Sequence, residues 1–171
     1  MKADFPQEGT YRAENPEDTR AWGERLGRAL EAGDLVILDG PLGAGKTTLT
    51  QGIAAGMGVR GRVTSPTFVI AREHRPAAQA PADTPTLIHV DAYRLLDHDA
   101  DPWGALDSLD LDTELEEAVI VAEWGAGLVE QLAARYLKVT VDRESAVEED
   151  PDSEARYLSW RWEGEEPRSA R

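Results

Sequence analysis

The sequence contains no cysteine, which excludes both a disulfide framework and a thiolate metal site. Lysine is nearly missing as well. Only Lys2, Lys46 and Lys138 occur, against 33 aspartates and glutamates and a formal charge of −15. A protein that grips nucleic acid unaided turns a basic face to the phosphates, so direct RNA or DNA binding is not expected. No apolar run approaches the length of a membrane span, and no membrane association is expected. Residues 1–9 carry one lysine and no apolar run, so no secretory signal is expected and the location is read as cytoplasmic. The acidity reads as a solvated surface. A chain of 171 residues suits one domain, placed at 1–163, with a loose tail over 164–171.

What the chain does contain is Gly40-Pro41-Leu42-Gly43-Ala44-Gly45-Lys46-Thr47. This run fits G-x-x-x-x-G-K-[ST], a loop that wraps backbone N–H groups around nucleotide phosphates. The apolar run Asp34 to Asp39 ahead of it has strand length, and Leu49, Ile53 and Met57 behind it mark one helical face ending near Gly58. Strand, glycine loop and helix are the setting in which the motif has physical meaning. Gly43 and Gly45 permit backbone angles that a Cβ would block. The amides along Gly43, Ala44, Gly45, Lys46, Thr47 and Thr48 form the expected cradle for ATP. Lys46 bridges the β- and γ-oxygens, and the Thr47 hydroxyl serves Mg²⁺.

The remaining segments are read against that loop. Thr10 to Ala13 suggests a short edge strand. Asn15 caps a helix with Pro16 in its first position; Trp22, Leu26 and Leu30 line one face, and Gly33 ends it. Thr64-Ser65-Pro66-Thr67 is either a plain turn or a segment that senses the γ-phosphate. Phe68 to Ala71 reads as a buried strand, and residues 74–85 as a mobile hairpin connector. Thr86 to Asp91 is a strand whose terminal Asp91 is the expected second handle on Mg²⁺, directly or through water. His89, inside that run, reads as a packed core residue. The acid-rich segment 97–117 suggests short amphipathic helices and a solvated or protein-docking face. Ala118 to Ala122 is another buried strand, ending at Glu123 and Trp124. Glu123 either holds Mg²⁺ or polarises the attacking water; Trp124 either walls the site or packs in the core. Leu128, Leu132 and Tyr136 are helix-spaced. Strands over 136–142 and 156–162, joined by an acidic loop at 143–154, suggest a hairpin. The fold class is α/β: one P-loop NTPase domain, a mostly parallel central sheet flanked by helices, with a C-terminal antiparallel hairpin.

With these segments in place, the chain resembles the TsaE (YjeE) family, the bacterial ATPase of tRNA threonylcarbamoyladenosine biosynthesis. The resemblance rests on residues 40–48, Ser65-Pro66-Thr67-Phe68, His89-Val90-Asp91-Ala92-Tyr93-Arg94-Leu95 and Glu123-Trp124, in that order, over about Glu14 to Trp162. It implies ATP and Mg²⁺ binding, ATP hydrolysis, and a complex with the two related subunits of the threonylcarbamoyl transferase, through which tRNA is mainly met. ATP turnover is implied to reset that assembly and not to drive the transfer. By position it implies Lys46 and Thr47 at phosphates and metal, Ser65 and Thr67 in a switch-like segment, Asp91 as a Walker-B-like acid, and Glu123 with Trp124 at the nucleotide. Lys46, Asp91 and Glu123 are thus the expected catalytic residues, and Thr47, Asp91 and Glu123 the expected metal residues. The Pro/Ala-rich insertion near 75–85 and the acidic stretch at 143–154 depart from the family pattern, between its motifs.

Two rival readings differ in chemistry. A small phosphotransferase needs an acceptor pocket and an arginine-bearing lid, and 92–117 offers only Arg94. A nucleotide-gated assembly factor needs binding but hardly any hydrolysis.

Overall fold

The computed structural model describes residues 1–64, 71–92, 104, 107, 114–123, 127 and 129–164. Among them the chain runs β1 (Glu8–Ala13), α1 (Pro16–Ala29), β2 (Leu35–Asp39), α2 (Lys46–Met57), β3 (Ala71–His74), β4 (Thr86–Asp91), β5 (Ala118–Glu123), a 3-10 turn (Val129–Leu132), β6 (Arg135–Asp142), α3 (Glu144–Glu149) and β7 (Arg156–Gly164). The seven strands form one sheet in the order β1-β7-β6-β2-β5-β4-β3. β6, β2, β5 and β4 are mutually parallel, while β7, β1 and β3 run antiparallel to their neighbours at the two flanks.

Apolar runs without alternation belong to strands covered on both faces. β5 is buried at every position, and β2 at all but Asp39. On one face Val36, Leu38, Leu87, Val119 and Val121 meet Trp22, Leu26, Leu49 and Ile53 of the two helices. On the other, Leu35, Ile37, Ile88 and Ile120 pack with Leu115 and Val129. α1 and α2 approach until backbone touches backbone, because Gly23 and Gly27 of one face Gly52 and Gly56 of the other. A Cβ on Gly27 would lie 2.2 Å from Ile53 O, and one on Gly52 would lie 2.2 Å from Arg20 O.

The caps follow the sequence. Asn15 accepts from the Asp18 amide at 2.9 Å, with Pro16 at the helix start. α2 stops at Gly58, which is left-handed. α1, however, ends at Ala29 with an extended Leu30 as its cap, earlier than the Gly33 expected from sequence. Gly33 instead serves the turn into β2, its N–H on Ala118 O at 2.9 Å.

Two other expectations are corrected. The helical spacing of Leu132 and Tyr136 does not give a helix. Leu132 closes a 3-10 turn, while Tyr136 belongs to β6, as the strand expected over 136–142 had it. The acidic stretch 143–154 is not all loop, because Asp142 accepts from Ser145 N at 3.2 Å and Ser145 Oγ at 2.5 Å and so starts α3. The strand expected over 68–71 overlaps the described β3 only at Ala71, the rest lying outside the described residues. β3 itself is a half-exposed edge. The connector to β4 does close an antiparallel hairpin, and it is tied to the end of α2 by Ala77 N→Gly58 O (3.0 Å) and Arg60 N→Arg75 O (2.8 Å). The edge position of β1 and the β6–β7 hairpin are as expected. β7 continues through Gly164, the first residue assigned to the tail; 165–171 lie outside the described residues.

Candidate functional site

β2 delivers the glycine loop to the carboxyl edge of the parallel strands, the edge where open α/β sheets gather ligands. Gly40 leaves the strand at φ +151°, and a Cβ there would lie 2.6 Å from Val141 O of the adjacent β6. Only glycine lets the loop rise between these strands. Gly45 stands at the start of α2 with φ +110°, in the left-handed region, and Gly43 has φ +77°. These are the backbone freedoms the motif requires.

The start of α2 differs in kind from that of α1. It has no side-chain cap and no acid in its first turn, although the chain carries 33 carboxylates. α1, by contrast, is capped by Asn15 and has Glu17 and Asp18 in its first turn. The start of α2 thus turns the positive end of its helix dipole, unneutralised by any acid in the first turn, toward the loop. Lys46 is buried, with Nζ donating to Gly40 O at 2.6 Å and Pro41 O at 2.9 Å. Burial lowers its pKa, while the charges of Glu123, Asp39 and Asp91 oppose that shift. One cation therefore lies in the field of three strand-tip acids.

Two of those acids are neighbours by register, since Asp91 pairs with Glu123 at the ends of β4 and β5. Two residues back on β4, His89 shares the face of Asp91, and its Nε2 lies 3.2 Å from Glu123 Oε1. His89 is fully buried, as the sequence indicated, and it also holds a site carboxylate. Thr47 and Thr48 are half-buried in the first turn of α2, and Ala44 is buried. Lys46, Thr47, Asp91 and Glu123 are thus brought to one edge of the sheet. Ser65, Thr67 and Trp124 lie outside the described residues, as do most of 97–117.

No group of three or more His, Cys, Asp or Glu among the described residues could hold a metal by itself. In a phosphate site one or two carboxylates or a hydroxyl share Mg²⁺ with phosphates and water. Thr47, Asp91 and Glu123 are oxygen donors of that type. No helix among the described residues is long and apolar enough to cross a membrane.

One contact was not foreseen. Arg156, the first residue of β7, donates from Nε to Ala44 O of the loop at 2.7 Å. β7 is antiparallel to β6, so its beginning, not its end, lies at the carboxyl edge. The predicted hairpin carried that signal, but attention to strand ends alone passes over it.

The sequence profile of the family described as "Threonylcarbamoyl adenosine biosynthesis protein TsaE" matches residues 13–150. A protein of Mycobacterium leprae named tRNA threonylcarbamoyladenosine biosynthesis protein TsaE is 56% identical over 155 residues, covering 90% of this chain and 91% of its own. A protein of the same name from Bacillus subtilis is 35% identical over 134 residues, covering 78% and 77%. The crystal structure of Bacillus subtilis YdiB superimposes with a TM-score of 0.64 at 26% identity, covering 92% of this chain and 87% of that one.

Proposed function

The chain belongs to the TsaE family of tRNA threonylcarbamoyladenosine biosynthesis proteins, and from that premise we propose that it is a Mg²⁺-dependent ATP hydrolase. Its turnover supports cycling of the two related transferase subunits of the modification complex, and it meets tRNA mainly through them, in the cytoplasm. The observation that carries this reading is the convergence of Lys46, Asp91 and Glu123 beside the uncapped, acid-free start of α2.

In this reading the loop amides and Lys46 bind and orient the triphosphate, leaving their contacts within the loop for phosphate oxygens. When bound with the nucleotide, Mg²⁺ supplies neutralisation of the β- and γ-oxygens; Thr47 and Asp91 are the residues to hold it. Glu123, fixed by His89, orients the attacking water or reaches the metal. Hydrolysis so arranged needs positioning and charge neutralisation, and no covalent intermediate on the protein. The acidic surface suits a subunit that leaves tRNA phosphates to its partners.

Calorimetry with ATP, with and without Mg²⁺, followed by assay of released phosphate, tests the chemistry. Magnesium-dependent uptake and acceptor-independent phosphate release are expected. Transfer to an acceptor in place of release would turn the reading to a kinase. Pull-down from the source cell with a nonhydrolysable ATP analogue should recover the two transferase subunits, and turnover should be slow without them. Binding with no turnover, even with those partners present, would leave a nucleotide-gated assembly factor.

A further inference from the structure

We infer that Arg156 is a positioning residue of the phosphate loop, aiming a loop amide at the bound anion from β7, which only β6 separates from the loop strand β2. The inference rests on the nucleotide-binding reading above, and deepens it. Arg156 shares its face of β7 with Leu158, which is buried in the core beneath α1 and α2, so its side chain rises toward the loop. Nε donates to Ala44 O at 2.7 Å, while Nη1 donates to Glu154 O at 3.0 Å and Ala155 O at 2.8 Å. The guanidinium is thereby locked to its own turn and to the loop at once.

Ala44 is held from both ends, because its N–H donates to Pro41 O at 3.1 Å. The peptide joining Ala44 to Gly45 is trans and planar, so fixing the Ala44 carbonyl fixes the Gly45 N–H in the opposite direction. Gly45 lacks a Cβ to hold it, and it is the cap of α2. A cation on the carbonyl also masks the one dipole end in that peptide that would repel phosphate.

The bonding of Arg156 differs in kind from that of the ion-paired arginines. Arg12, Arg28, Arg75 and Arg161 each pair with a carboxylate. Arg156 has no ion pair among the described residues and binds only carbonyls. Burial, and after it the charge of Arg143, disfavours its charged form, which Glu154 favours. A fork of three carbonyl contacts is a task for a guanidinium and not for an ammonium.

The test uses the full chain and the variants Arg156→Lys, Arg156→Gln and Arg156→Ala. Hydrogen exchange of the Ala44 amide, which donates to Pro41 O, should quicken in all three nucleotide-free variants, with the midpoint of thermal unfolding reporting whether each still folds. Calorimetric affinity for ATP with Mg²⁺ should fall about 10- to 100-fold, the loss expected for a charge-assisted hydrogen bond. The lysine variant should recover only part of it. Millimolar guanidinium should restore binding to Arg156→Ala and leave Lys46→Ala unchanged. Wild-type exchange and wild-type affinity in folded variants would overturn the positioning role. If the unaltered chain takes up no ATP, the nucleotide reading fails, and the exchange experiment still decides whether Arg156 orders the loop.

Discussion

His89 Nε2 lies 3.2 Å from Glu123 Oε1, and both side chains are buried. With its proton on Nε2 the ring donates to the carboxylate, and Nδ1 has no partner among the described residues. The pair spans β4 and β5 just below Asp91, so it sets the posture of one strand-tip acid. Replacing His89 by Phe removes the hydrogen bond and keeps the ring. The expected cost is about 1–3 kcal/mol of unfolding free energy, from a buried acceptor left unsatisfied. If Glu123 orients water, kcat for ATP should fall while nucleotide affinity changes little. A double-mutant cycle of His89→Phe with Glu123→Gln should return a coupling of about 0.5–3 kcal/mol; additivity would show that the two do not act together.

Lys46 is held inside its own loop by Gly40 O and Pro41 O. Lys46→Met keeps the aliphatic stem and removes three donors and a charge. Affinity for ATP with Mg²⁺ should drop at least about tenfold, since ammonium–phosphate contacts are charge-assisted. Helical content should stay unchanged, because Thr50 Oγ1 bonds the backbone carbonyl of residue 46, not its side chain. Calorimetry and circular dichroism on the same sample separate the two effects.

The contact of α1 with α2 is a stability determinant that also seats the loop helix. Gly52→Ala adds a methyl group 2.2 Å from Arg20 O, and that neighbour is backbone, unable to rotate aside. Alanine raises intrinsic helix stability by about 1 kcal/mol, whereas overpacking of this kind costs about 1–3 kcal/mol or more. Net destabilisation of about 1–2 kcal/mol is expected from urea unfolding. The exposed Ala55 on the same helix offers the contrast: Ala55→Gly should lose only the propensity difference, about 1 kcal/mol. A Gly52→Ala chain more stable than its parent would deny the close approach.

Much of this was legible in the sequence wherever a local rule governs the outcome. Asn15-Pro16 set the start of α1, Gly58 the end of α2, and the unbroken apolar runs the central strands. The strand–loop–helix around the glycines and the placing of Asp91 and Glu123 at strand ends were legible because the motif sets its own flanks and an apolar run shows where its strand stops. What escaped depends on partners distant in sequence. The cap of α1 is set by how Gly33 meets Ala118 in β5. Gly40 is required by Val141 O, and Arg156 finds Ala44 across 112 residues. The helical spacing of Leu132 misled because one 3-10 turn satisfies it too, whereas alternation beyond Tyr136 placed that residue in its strand. Such pairings are made by sheet order, which no local window contains.

His74 gives the fold a pH dependence outside the usual carboxylate range. The ring sits at the end of β3, is 4% exposed, and has Nε2 without a partner among the described residues. Burial lowers its pKa from 6.5, against a raising hydrogen bond to the Arg60 backbone, with His89 and Arg72 adding to the lowering. Because the folded value lies below the unfolded one, the unfolded chain binds more protons between the two. Stability is therefore complete above pH 6.5 and declines as the pH falls from there toward the folded value. The carboxylates Asp142, Glu149 and Glu163, whose pKa values are lowered by hydrogen bonds from Ser145, Tyr157 and Tyr136, act in a more acidic window, below about pH 5. Thermal unfolding at several values between about pH 5 and 8 should show a midpoint that drops on acidification. In His74→Gln the drop over that window should be smaller than in the parent, with the acid limb unchanged. Parallel curves for the two chains would mean that His74 protonates equally well folded and unfolded.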